Sequence, residues 1–181
     1  MFKKSRILIP IVALSLSTLS TFASANNEDY ISANGVKIEL GQSQRYLESK
    51  LGIPQREHAE MIGWDLKNGN ALTARFDEYG LSNATISGSK PDFLYAHGIK
   101  VTLGQDSLTS AEKKHTHGCY HQMWGEGLIG EYVVRSGPEG SWNLMFNSWG
   151  DEDQKALKNK KLSSISIGYD MPIGEEKYCT Y

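Results

Sequence analysis

Leu72, Ala74 and Phe76 alternate with Thr73, Arg75 and Asp77, the two-residue period of a strand that buries one face. Residues 58–66, 70–77 and 80–87 read as three strands, with Asn68-Gly69 and Tyr79-Gly80 marking the turns between them. Farther along, the pattern predicts strands near 122–126, 128–135, 141–147 and 163–169, with Gly137, Pro138 and Gly140 setting a hairpin. Trp142 shares a face with Leu144 and Phe146 and is expected to point inward. Three helices punctuate this pattern. Ser43 is a suitable N-cap for 44–51, and Gly52 and Pro54 stop it. A second helix is expected over about 107–114. The third lies within 149–161, where Asp151 would cap, Glu152 and Asp153 fill the first turn, and Lys158, Lys160 and Lys161 close the last.

The elements recur. Asn34-Gly35-Val36-Lys37-Ile38-Glu39-Leu40-Gly41-Gln42-Ser43 returns as His97-Gly98-Ile99-Lys100-Val101-Thr102-Leu103-Gly104-Gln105-Asp106. After each box the chain enters a short helix and then strands, so the sequence reads as a duplicated supersecondary unit. The units are 26–90 and 91–181.

The Leu40-Gly41-Gln42-Ser43 box, a short helix ending Leu51-Gly52-Ile53-Pro54, then Trp64 and the Phe76-Asp77-Glu78-Tyr79-Gly80 hairpin resemble one repeat of the β-lactamase-inhibitor-protein family. That fold is shared with small lipoproteins of the outer-membrane barrel-assembly machinery. The resemblance implies an α+β fold of two tandem repeats, each a short helical segment plus an antiparallel meander. They would form one curved sheet with helices on one face and a concave surface for a protein partner. The sequence departs from the family in lacking a lipid-anchor cysteine and in having one possible disulfide rather than one per repeat.

Residues 1–25 change the compartment. Lys3, Lys4 and Arg6 precede the apolar run Ile7 to Leu19, and Ala23-Ser24-Ala25 supplies small residues for signal-peptidase cleavage before Asn26. The apolar run is too short and too rich in Ser and Thr for a membrane anchor, so the mature chain is expected to be periplasmic or secreted. Three of the 19 basic residues and none of the 21 acidic ones lie in this leader, leaving 16 against 21. A net-acidic body without basic runs argues against nucleic acid. In an oxidising compartment the two cysteines, Cys119 and Cys179, are expected to pair.

Candidate chemistry is sparse. His115, His117, Cys119 and His121, with Glu126 downstream, could ligate Zn²⁺ or Cu²⁺ if they converged, because neutral imidazole and thiolate suit those ions. The paired spacings of recognised zinc motifs are missing. No Gly-x-Ser-x-Gly elbow or phosphate-binding glycine loop is present, and no catalytic set can be assembled. Trp64, Tyr79 and Trp149 sit at turns or beside helix starts and are the candidate partner anchors, since Trp and Tyr dominate interface energetics. The expectation is an exported, non-catalytic protein-binding module without a cofactor, an inhibitor of or adaptor for another envelope or secreted protein. The alternative is a metal-binding or redox envelope protein using the 115–121 cluster.

Overall fold

The computed structural model describes residues 29–124, 127–137, 140–150 and 153–169. The leader 1–25, Glu126, Pro138, Asp151, Glu152 and Cys179 lie outside them.

The chain opens with two short strands, β1 (Tyr30–Ala33) and β2 (Val36–Ile38). Between them Asn34 and Gly35 take φ of 52° and 82°, the left-handed pair that a two-residue hairpin demands and that Asn-Gly supplies at least cost. Helix α1 (Gln44–Leu51) follows, capped by Ser43, which accepts from the Tyr46 N–H. A meander of β3 (Arg56–His58), β4 (Met61–Asp65), β5 (Ala71–Asp77) and β6 (Gly80–Ser87) completes the first half.

The second half begins in the same way, with β7 (Phe93–Ala96) and β8 (Ile99–Thr102). Their turn is His97-Gly98, with φ of 51° and 76°. Helix α2 (Leu108–Lys114) is closed by a reciprocal capping box between Ser107 and Ser110. Strands β9 (Gly118–Trp124), β10 (Leu128–Ser136) and β11 (Trp142–Gly150), helix α3 (Gln154–Asn159) and β12 (Ser164–Gly168) follow. The cap of α3 is Asp153, whose side chain accepts from the Ala156 N–H at 2.9 Å, so this helix starts later than its acidic run suggests.

The expected single sheet backed by helices is not what forms. The described chain is mostly β, in two antiparallel sheets, one ordered β2-β1-β7-β8 and the other β3-β4-β5-β6-β12-β11-β10-β9. The difference lies in the repeated box, which leads into a helix in sequence but is itself a hairpin arm. Each hairpin is too short to stand alone. The two therefore pair, Ile31 opposite Leu94 and Tyr30 opposite Tyr95, and make a sheet of their own.

The box also explains its own recurrence. Gly41 N–H donates to Leu81 O and Leu81 N–H to Gln42 O, both at 2.8 Å; Gly104 N–H donates to Leu162 O, and Leu162 N–H to Asp106 O. Each box thus stitches a hairpin to the start of a central strand. Where the backbones meet, a Cβ on Gly104 would lie 2.1 Å from Ser89 O and one on Gly80 2.4 Å from Gly41 O, so a larger residue cannot enter.

One core joins everything. Leu72, Ile86, Ile165, Phe146 and Tyr132 form a row across the large sheet by strand register. They are buried with Ile31, Ile38, Leu94 and Val101 of the small sheet and Leu108 of α2. The small sheet and the helices therefore cover one face of the large sheet. The opposite face of β9 to β12 also holds buried side chains, namely Cys119, Glu131, Val133, Asn143, Met145 and Ser166.

Candidate functional site

The three anticipated anchors are not one surface. Trp64 is 1 % exposed and its indole N–H donates to Gly52 O at 2.8 Å, so it holds α1's end against the sheet and has no ring to offer a partner. Its place beside a predicted turn concealed that Trp64 pairs with Leu72 on the core face of β4. Tyr79 is 80 % exposed and Trp149 54 %. Arg75, Asn83, Gly168 and Asn143 lie in one cross-strand row. Tyr79 falls beyond one side of that row and Trp149 six residues to the other, a separation of roughly 30 Å along the strands.

Trp149 has company that its neighbours in sequence do not reveal. It pairs with Ile129, and Ile129 with Met123, on the face turned away from the core. Met123 is 45 % exposed. The three side chains form an apolar row over β11, β10 and the edge strand β9. No periodicity within one strand could have found it, because the row runs across strands.

The 115–121 cluster is taken apart by the fold. His115 ends α2 and stacks on Phe146 of the core face, ring centroids 5.7 Å apart. Cys119 and His121 pair with Val133 and Glu131 on the opposite face of the sheet. Cys119 is disulfide-bonded, which removes its thiolate as a ligand. Among the described residues no group of three or more His, Cys, Asp or Glu is placed to hold a metal. The reason is the two-residue period of β9, which begins at Gly118, after the turn from α2 has already placed His115 on the other side.

A different constellation gathers instead, and it was missed because its members come from positions 29, 97, 115, 136 and 142. The buried Asp29 carboxylate accepts from His97 N–H at 3.1 Å, from the Trp142 indole N–H at 3.0 Å and from the Ser136 hydroxyl. Ser136 Oγ also lies 2.8 Å from His97 Nε2. A Ser, a His and an Asp in mutual contact invite comparison with a nucleophilic triad, but the wiring is reversed. A carboxylate can only accept, so the single serine proton points to Asp29 and the imidazole must donate to Oγ. A serine nucleophile needs the opposite, an imidazole that takes its proton. Ser136 is also buried.

The matching arrangement uses the positions 63 residues away, Asp92 in place of Asp29 and Asn34 in place of His97. Asp92 Oδ1 accepts from Asn34 N–H at 2.7 Å, and Oδ2 from the amides of Asn68 and Asn70 at 2.8 and 2.6 Å. Each half therefore sends an aspartate to lock the hairpin turn of the other. These carboxylates are fixed to the fold by donors, and their primary work is structural.

His115 stands beside the second lock. Burial, together with the charge of His97, lowers its pKa from 6.5 to about 4, with Asp29 opposing the shift. Its backbone carbonyl accepts from the Tyr132 hydroxyl, whose pKa is raised to about 12 by burial and by the charge of Glu112. Burial likewise pushes the Glu131 carboxyl up and His121 down on the other face.

Neither a family model nor a curated protein matches the sequence. A solved structure that does match is an extracellular protein containing an SCP domain from Bacillus anthracis str. Ames, at 13 % identity and a TM-score of 0.40. The match covers 71 % of this chain and 43 % of that one, so the chain spans less than half of its length. The resemblance to β-lactamase-inhibitor proteins finds no counterpart in these comparisons beyond the abundance of sheet. Among the described residues no helix is long and apolar enough to cross a membrane.

Proposed function

We propose that this chain is an exported, non-catalytic module that binds another envelope or secreted protein through the outer face of β9 to β11. The observation that carries the reading is the cross-strand row Trp149, Ile129 and Met123. Apolar side chains set on a rigid sheet lose little entropy when covered. An aromatic anchor with apolar flanks is the usual energetic centre of an interface. The reversed Ser136, His97 and Asp29 wiring favours binding over hydrolysis. The basic leader with Ala23-Ser24-Ala25 supports export, and pairing of Cys119 with Cys179, the other cysteine of the chain, fits an oxidising compartment.

Site-specific photocrosslinkers placed at 123, 149, 73 and 79 in cells test the surface. Positions 123 and 149 should trap the same discrete protein, and Ile129→Asp should abolish both adducts while 73 and 79 trap nothing specific. A stable complex needs roughly 800 Å² from each partner, and loss of a central anchor should weaken binding by about 2 kcal/mol, near thirtyfold. Equal labelling from all four positions, or a specific adduct from 79 alone, contradicts the proposal.

A further inference from the structure

Part of the outer face of the large sheet is closed, although no described element packs over it. Cys119, Val133, Met145 and Ser166 form one cross-strand row over β9, β10, β11 and β12. All four are 7 % exposed or less, and Val133 and Met145 make an apolar cluster apart from the main core. Four residues along the same strands, a shift of roughly 13 Å, Met123 and Trp149 stand exposed. The small sheet and the helices account for none of this burial, because they pack on the opposite face. An antiparallel face without a second layer is left to water along its whole length. Here one stretch is covered and the next is bare.

The chemistry of Cys119 indicates the cover. Its side chain lies on this face and is disulfide-bonded, and the chain has one other cysteine, Cys179. Cys179 comes eleven residues after Gly168, the last residue of β12. Eleven residues reach about 40 Å at most, while β12 and β9 are three strand spacings apart, about 14 Å. The direct course between these two attachments crosses β11 at Met145 and β10 at Val133. The intervening sequence includes Met171, Pro172 and Ile173, apolar side chains of the kind that a Val–Met patch requires above it. We propose that residues 170–181, which lie outside the described residues, cross the outer face as a strap clasped to Cys119 through Cys179 and cover the Val133–Met145 patch. A second copy of the chain, or a separate protein, has no covalent tie to this row.

The strap sets the limit of the surface that carries Trp149. A dithiol that reduces the clasp passes two electrons and two protons to it, becomes a disulfide itself and leaves thiols at 119 and 179. The strap is then free at that end, and the Val133–Met145 patch joins the row of Trp149, Ile129 and Met123 on the same strands. This enlargement rests on the partner surface proposed above. The strap itself does not, and it is tested without a partner.

The purified full chain, labelled with photo-methionine and kept oxidised, is irradiated, then reduced, digested and mapped by mass spectrometry. Position 145 should be joined to a peptide from 170–181. In unlabelled protein, sulfoxide formation with hydrogen peroxide is timed at the two methionines of the outer face. Met145 should react at least tenfold more slowly than Met123. Dithiothreitol should raise the Met145 rate at least fivefold and leave the Met123 rate unchanged, with a native far-UV circular dichroism spectrum showing that the sheet persists. The full-length Cys179→Ser chain should give the faster Met145 rate without reductant. A crosslink from 145 to another segment or to a second copy would overturn the proposal, as would no crosslink at all. So would equal rates at the two methionines before reduction, or protection of Met145 that survives the release of both thiols.

Discussion

Trp64 and Trp149 are the same residue type with opposite roles, and the difference is burial. Truncating Trp64 removes an indole from a closed core and strands Gly52 O, so Trp64→Ala should destabilise by about 3–5 kcal/mol in urea unfolding. Trp149→Ala and Tyr79→Ala should stay within roughly 0.5 kcal/mol, as exposed substitutions do. His115 gives a residue-scale pH response. Its folded pKa is depressed, from 6.5 to about 4, so the unfolded chain binds more protons throughout that interval. The stability associated with the neutral ring is complete above pH 6.5 and is lost as pH falls toward 4. The shift corresponds to about 3 kcal/mol in total. His97, Asp29 and Lys114 surround the ring and shape this dependence. Urea midpoints measured from pH 7 to pH 4 should fall for the native chain, and the fall should be smaller in His115→Phe by that amount.

At the scale of elements, the two hairpins matter more than the helices. The Asn34-Gly35 pair is a hairpin signal in the sequence, and the helix that follows the box does not conflict with it. What no local pattern shows is that the hairpins pair with each other and are locked crosswise by Asp29 and Asp92. Asp92→Ala leaves the Asn34 N–H and the Asn68 and Asn70 amides without their acceptor. It should cost roughly 3 kcal/mol, since charged hydrogen bonds contribute about 1.5–3 kcal/mol each and solvent partly replaces them. Asp92→Asn keeps an acceptor oxygen and should recover part of that loss. Both are read from urea midpoints against the native chain.

Over the whole molecule the halves share one core and two seams, β6 with β12 and β1 with β7. Cys119 lies on the outer face of β9 and is disulfide-bonded, with Cys179 outside the described residues. A bridge between the two would close about 60 residues, worth about 4 kcal/mol in the chain-entropy model. Thiol labelling of denatured, unreduced protein should find no free cysteine, and proteolysis should release one peptide pair joined at 119 and 179. Cys179→Ala should lower stability by 2–4 kcal/mol or so and leave one thiol per chain.

The sequence by itself determined much of the local structure: the strands β5, β6, β10, β11 and β12 by their two-residue alternation, the start of α1 by Ser43, and the inward turn of Trp142 by its face. It also revealed the duplication, since Asn34 to Ser43 returns as His97 to Asp106 at an offset of 63. These features depend on residues close in the chain, where sterics and capping act directly. Tertiary structure alone decided that the boxes build a second sheet, that Trp64 is core and that His115 and His121 face opposite ways. It also decided that Trp149, Ile129 and Met123 form one row and that His97, His115, Ser136 and Asp29 meet. Those outcomes are set by strand register and by pairing across as many as 85 residues, from Asn83 to Gly168, where one step of alternation moves a side chain to the other face.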